Sequence, residues 1–389
     1  MPQIANRVAN LGVTIFTEIN DLAAKHNAIN LGQGKPDFDA PPQLIQELAS
    51  AAAGGALINQ YAPGQGAPAL RKAISEHAGR FYNLDVDRDR GVVVSAGATE
   101  GIFASILGLV DRGDEVIVIE PFFDSYVPNL EWIGATPVFV PMHPPEWTLD
   151  ADELRRAFTP KTKAILLNTP HNPSGRVYTR EELQLIADLC IEHDVIAISD
   201  EVYEHLTFGS APHIPIATLP GMFERTVTIG SAGKSFSATG WKVGWVYGHA
   251  NMINGVSRAH QFITFAVNHP SQIAIANALA MPGTYFEEFQ AVYAAKRDLL
   301  VGGLQHAGFK VRVPDGTYFI MGDFRDIFDG DDIEFARYLT SEIGVACIPP
   351  TAFYSQEHAH MASTQARFAF CKSDALLQQA CERLAKLRV

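Results

Sequence analysis

Lys234 stands in Ser231-Ala232-Gly233-Lys234-Ser235, directly after a short apolar, β-branched run. A lysine leaving a buried strand is either a Schiff-base nucleophile, its amine desolvated and its pKa depressed, or a solvated loop lysine. Asp200 closes Val195-Ile196-Ala197-Ile198-Ser199. Its carboxylate belongs at the carboxyl edge of a strand, where α/β proteins bind ligands, or it is a strand-stop or helix-capping aspartate. Tyr203 follows three residues on and shares that side if the segment turns helically; otherwise it is a core tyrosine with its hydroxyl at the rim. Asn168-Thr169-Pro170-His171-Asn172-Pro173-Ser174-Gly175 leaves another apolar run as a rigid polar turn, from which Asn172 can offer an amide. Gly97-Ala98-Thr99 lies between a strand pattern and a helix pattern, and free N–H groups with a helix dipole make a phosphate cradle, as at many such turns. Arg367 sits in the alternating Ala366-Arg367-Phe368-Ala369-Phe370, facing away from Phe368. It suits bidentate carboxylate binding, or a structural ion pair.

Three look-alike motifs fail on context. Gly233-Lys234-Ser235 resembles the end of a nucleotide-triphosphate loop, but that loop needs a glycine where Thr228 stands and a helix after the lysine, where the chain reads Phe236-Ser237-Ala238-Thr239-Gly240-Trp241. Gly64-Gln65-Gly66-Ala67-Pro68-Ala69 follows Asn59-Gln60-Tyr61 and not a strand, which rejects a dinucleotide fingerprint. His358-Ala359-His360 lacks a third ligand and reads as a solvated loop, so no metal site is expected.

These residues must be positioned by the elements around them. Short β-branched runs at residues 91–94, 115–119, 162–167, 195–199, 225–230 and 244–247 read as buried strands, with helices expected at 99–109 and 179–193 between them. Thr179, Glu181 and Glu182 open the second helix. Such alternation argues a mostly parallel central sheet flanked by helices, an α/β fold. After Asn251 helical patterns at 271–280 and 285–307 give way to a mixed strand and helix texture, a smaller α+β domain. The expected division is a segment at 1–45 that packs with the small domain, a large domain at 46–285, and the small C-terminal domain at 286–389.

The chain of 389 residues is 47% hydrophobic and 19% charged, which rules out disorder and fibrous repeats. Thirty basic residues against 43 acidic leave a net charge of −13, and without a basic patch this opposes nucleic acid and anionic membranes. Cys190, Cys347, Cys371 and Cys381 form no CxxC pair; neither zinc nor a disulfide framework is indicated, and a cytoplasmic location fits. The first ten residues show no export signal, and no apolar stretch reads as a membrane span.

In order along the chain, Gly34-Lys35-Pro36-Asp37-Phe38, Asn59-Gln60-Tyr61, Gly97-Ala98-Thr99, residues 168–175, Asp200-Glu201-Val202-Tyr203, Ser231 to Ser235, Gly240-Trp241-Lys242-Val243-Gly244 and Arg367-Phe368 resemble the class I/II aminotransferases, pyridoxal-phosphate enzymes of fold type I. Asn30-Leu31-Gly32-Gln33-Gly34, the run from Glu120 to Tyr126 and Gly316-Thr317-Tyr318-Phe319 look like the kynurenine, glutamine and methionine aminotransferase subgroup. The resemblance implies pyridoxal 5′-phosphate as cofactor, a ping-pong exchange between an amino acid and a 2-oxo acid, and a homodimer. It makes Lys234 the cofactor-bearing base, Asp200 the partner of the pyridine nitrogen, Asn172 and Tyr203 donors to the ring oxygen, and Phe123 the stacking ring. It gives the phosphate to Gly97, Ala98, Thr99, Ser231, Lys242 and the Tyr61 of a neighbouring subunit. Arg367 clamps the α-carboxylate, with Gly34 and Asn172 assisting. Apart from the resemblance, Phe16, Phe265 and Tyr354 either line an apolar substrate pocket or are core residues.

Two positions depart from the pattern: Lys242 replaces a frequent arginine, and Lys35 an aromatic residue. The segment Gln261 to His269 holds no arginine or lysine, so methionine, glutamine or aromatic donors are expected over aspartate. Two readings stay open beside this one. The first is a C–S β-lyase on the same fold; the second is an aminotransferase for acidic or succinylated donors, should the Lys35 ammonium reach the pocket.

Overall fold

The computed structural model describes residues 4–9, 12 and 14–388. Part of the N-terminal stretch read for an export signal lies outside the described residues.

Runs of β-branched residues form the interior because parallel strands covered on both faces need apolar side chains on both. Eight strands line up in the order Val92–Ser95, Gly244–Gly248, Thr226–Ser231, Ile196–Asp200, Thr162–Asn168, Glu115–Glu120, Thr136–His143 and Thr148–Leu149. Neighbours from Thr226–Ser231 to Thr136–His143 run parallel; Gly244–Gly248 runs antiparallel to both of its neighbours, and Thr148–Leu149 to Thr136–His143. Val92, Val93 and Val94 are all fully buried, as expected for a strand with no solvent face. All six expected strands are present. The seventh, Thr136–His143, was not expected: Pro137 and Pro141 mask its pattern, and proline is tolerated there because the strand lies next to the sheet edge.

Helices cover the faces. Gly97–Leu109 packs on Ala250–Ile263, and Arg180–Glu192 starts at a capping box in which Thr179 and Glu182 satisfy each other's backbone N–H groups. The first begins two residues before its expected start because Gly97 takes φ +76° and turns the chain straight from strand into helix. Downstream, the 25-residue helix Gly283–Ala307 leads to a three-stranded antiparallel sheet of Lys310–Val311, Phe319–Asp323 and Gln365–Ala369. Ile29 and Asn30 pair with Val345 and Ala346. Leu31 continues this tie by accepting from the Ala369 N–H, which brings Gly32 to Gly34 against the same small sheet.

Candidate active site

Asn168, Asp200 and Ser231 are the last residues of three adjacent parallel strands, so their side chains meet at one edge of the sheet. Ser95 ends a fourth strand at the same edge, opposite Gly244, which places Gly97 to Thr99 and Lys242 beside them. A cavity of about 180 Å³ opens there, lined among others by Gly97, Thr99, Phe123, Asn172, Tyr203 and Lys234. Ala98, Asp200, Ser231 and Lys242 complete its wall among the residues read from the sequence.

Hydrogen bonds fix the floor. Asn168 Nδ2 and the Thr169 N–H both donate to the Asp200 carbonyl, at 2.9 and 3.1 Å, and Asn168 Oδ1 receives the Asn172 N–H at 2.8 Å. The strand end and the proline-rich turn are therefore tied to each other. Beyond Asp200 the chain does turn helically, Glu204 N–H reaching the Glu201 carbonyl at 2.9 Å, and Tyr203 comes to the cavity wall. Burial raises the Asp200 carboxyl to about 6, opposed by the hydrogen bond that Tyr126 Oη donates at 2.7 Å and by the charge of Lys234. Lys234 sits on the single helical turn Ala232–Ser235, and burial lowers its amine to about 8. Its Nζ donates to Tyr318 Oη at 2.6 Å, and that hydroxyl donates to the Gly34 carbonyl at 2.8 Å.

Two glycines are dictated by close approach. A Cβ on Gly97 would lie 3.2 Å from Lys242 Nζ, so the helix N-terminus and the ammonium form one concave, positively polarised wall. A Cβ on Gly34 would fall 2.7 Å from Phe319 and 2.8 Å from Tyr318.

Arg367 is 2% exposed, and burial pulls its guanidinium down to about 10. Its Nη1 donates to Asn172 Oδ1 at 3.1 Å and its Nη2 to the Gly32 carbonyl at 2.8 Å, while its buried Nε has no partner. Phe319, Phe353 and Phe16 surround it at 4.2, 4.8 and 5.3 Å from their ring centroids. Asp124 acts on the guanidinium through its charge, but the direct hydrogen-bond partners of Arg367 are neutral, and a buried cation so held is the arrangement that takes an incoming carboxylate.

Not every expected residue meets the others. Tyr61 is 81% exposed, lies against Phe265 at 5.4 Å and does not line the cavity of its own chain. Lys35 is exposed, and only its carbonyl is engaged, by Lys372 Nζ at 2.6 Å. The 358–360 segment is not simply solvated: His358 Nδ1 meets the fully buried Glu120 carboxylate. Tyr126 and Tyr318 were not read as site residues. Both stand in quoted motifs, but a buried tyrosine has the same sequence appearance whether or not its hydroxyl is used.

The model of a family described as aminotransferase class I and II matches residues 26–384. A kynurenine–oxoglutarate transaminase of Dictyostelium discoideum is 42% identical over 99% of this chain and 96% of its own length. The structure of N-succinyldiaminopimelate aminotransferase from Mycobacterium tuberculosis superposes with a TM-score of 0.95 at 43% identity, covering 99% of this chain and 100% of that one. YbdL from Escherichia coli, described with a methionine aminotransferase function, gives 0.95 at 38% identity, with 99% and 100% covered.

Proposed function

The chain belongs to the class I and II aminotransferases, a pyridoxal-phosphate family, and from that premise we propose that it moves the amino group of an L-amino acid with a large uncharged side chain, methionine, glutamine or aromatic, to a 2-oxo acid by a ping-pong reaction. The observation that carries the reading is that Lys234 and Asp200 line one cavity and that the buried Arg367, with no direct carboxylate partner among the described residues, is hydrogen-bonded to Asn172 of the same wall.

The cavity fits pyridoxal 5′-phosphate. Asp200 is a buried acid that a protonated ring nitrogen would neutralise, and the Gly97 turn with Lys242 is a cradle for an anion that any Cβ would obstruct. Ala98, Thr99 and Ser231 would complete that cradle, Phe123 would cover the ring face, and Asn172 and Tyr203 would bond its oxygen. When bound, the cofactor supplies an electron sink for the charge left at the substrate Cα.

The chain's own residues do the rest. Asp200 holds a proton at the ring nitrogen, aided by Tyr126. Lys234, with an amine near 8, is available unprotonated at mildly alkaline pH to take and return the Cα proton. Tyr318 holds that amine when it is free of the cofactor and ties it to Gly34, so the substrate-side loop and the base share one hydroxyl. Arg367 binds the α-carboxylate, and Asn172 bridges it to the ring side. Phe16 gives the donor side chain an apolar wall. The Lys35 side chain is turned to solvent, and among the described residues no further cation lines the cavity beyond Lys234 and Lys242, which favours uncharged donors over the succinylated one named for the Mycobacterium tuberculosis relative.

Tyr61 reaches the phosphate of a second subunit in a homodimer. The large unit at 46–285 carries the cofactor, and 1–45 with 286–389 forms the unit that carries Arg367. Four free cysteines suit a cytoplasmic enzyme. Among the described residues no helix is long and apolar enough to cross a membrane.

The test of this reading is Lys234→Ala, which should bind cofactor without the borohydride-reducible linkage and lose nearly all turnover. A variant that still forms the reducible linkage removes the assignment.

A further inference from the structure

On the far side of the Asp200 turn lies a second group of chemically capable side chains that amino transfer does not use. His77, on helix Pro68–Tyr82, meets Glu204 and His205, and all three are buried, at 5%, 8% and 5% exposure. Their ligand-capable atoms lie within 4.8 Å of one another. His77 Nε2 and His205 Nε2 are 3.0 Å apart, Glu204 Oε2 is 3.5 Å from the first, and Glu204 Oε1 is 4.0 Å from the second. Bonds of about 2.0–2.1 Å at tetrahedral angles put ligand atoms about 3.3–3.4 Å apart, so around one centre the two imidazole nitrogens would open slightly and the Glu204 carboxylate would close on His205 by about half an ångström.

Charge argues the same way. Glu204 has no lysine or arginine in ion-pair contact among the described residues; nearby Arg80 is committed to the Met281 and Leu279 carbonyls. Tyr82 Oη donates to Glu204 Oε2 at 2.6 Å, the outer contact that orients a ligating carboxylate. Phe286 stacks on His205 with centroids 3.9 Å apart and Phe81 lies 4.6 Å from His77, an apolar shell that excludes water.

We propose that His77, Glu204 and His205 form a structural site for a divalent transition-metal ion of the zinc type. Two imidazoles with one carboxylate select such an ion over magnesium or calcium, which prefer all-oxygen sites. The two Glu204 oxygens face different histidines, so bidentate binding supplies a fourth ligand atom. The ion ties the turn that carries Asp200 and Tyr203 to the helix that follows the Tyr61 segment, and it takes no part in the amino transfer.

The experiment uses holoenzyme produced with added zinc and exchanged into chelator-scrubbed buffer. Elemental analysis should find one zinc per chain, and zinc K-edge absorption should show two imidazoles and oxygen at about 2.0–2.2 Å with no sulfur. His77→Gln should lower zinc retention on the order of a hundredfold or more. Wild-type enzyme with zinc far below one per chain, a sulfur-containing shell, or full retention by a folded His77→Gln would overturn the site. If that variant fails to fold, the wild-type content and ligand shell decide alone.

Discussion

Burial raises the Asp200 carboxyl from its ordinary value to about 6, so at neutral pH the cofactor-free protein holds a carboxylate that is less favourable in the folded than in the unfolded chain. The native state keeps a proton that the unfolded chain has released between about pH 4 and 6, and stability therefore falls as pH rises through that window. The penalty persists above it, on the order of 2–3 kcal/mol. Asp200→Asn should make the cofactor-free protein more stable by that order at neutral pH, with the gap closing below about pH 4, as denaturant titration would read. Equal stabilities at neutral pH would contradict it. The same variant should lose on the order of a hundredfold or more in turnover, the scale of removing one preorganised electrostatic partner. Asp200, Lys234 and Arg367 were legible as candidates because each charged side chain interrupts or closes an apolar run. Tyr126 and Tyr318 were not, since an aromatic side chain adds no irregularity to a buried pattern; their hydroxyls count only once the fold brings Asp200, Lys234 and Gly34 to them.

Helices and strands act here chiefly through where they stop. The cradle at the start of Gly97–Leu109 depends on a backbone with φ +76° pressed against Lys242. Gly97→Ala should destabilise the fold by about 1–2 kcal/mol, the cost of a side chain in the left-handed region, and weaken cofactor binding more than tenfold by displacing Lys242. Thermal unfolding and cofactor titration read the two effects separately, and unchanged binding would mean that the phosphate is held elsewhere. The strands were legible because the central ones are continuous apolar runs with polar stops. Thr136–His143 escaped because Pro137 and Pro141 are permitted only by its place near the sheet edge, and that place is a property of the sheet and not of the run.

At the scale of the whole molecule, Tyr61 cannot serve the cavity of its own chain and stands exposed beside Phe265. If it completes a partner's site, mixing inactive Lys234→Ala with inactive Tyr61→Ala under subunit exchange should restore about a quarter of wild-type turnover, because half the dimers then hold one intact site of two. No recovery in a mixture shown to have exchanged would place Tyr61 outside the site. The sequence carried no trace of such an interface beyond resemblance, since assembly depends on surfaces that only folding creates. Donor choice also belongs to this scale, where Arg367, Phe16 and Lys35 arrive from different parts of the chain. The most direct measurement is a single-turnover panel on the cofactor-loaded enzyme, following cofactor absorbance with methionine, glutamine, phenylalanine, aspartate and a succinylated diamino acid, each with and without a 2-oxo acid. The account predicts fast conversion by the uncharged donors, recovery of the starting spectrum only on adding the 2-oxo acid, and conversion by the acidic donors slower by on the order of a hundredfold, the cost of a carboxylate without a partner cation. Preference for aspartate or the succinylated donor, or pyruvate and ammonia released from cystathionine without any 2-oxo acid, would contradict it.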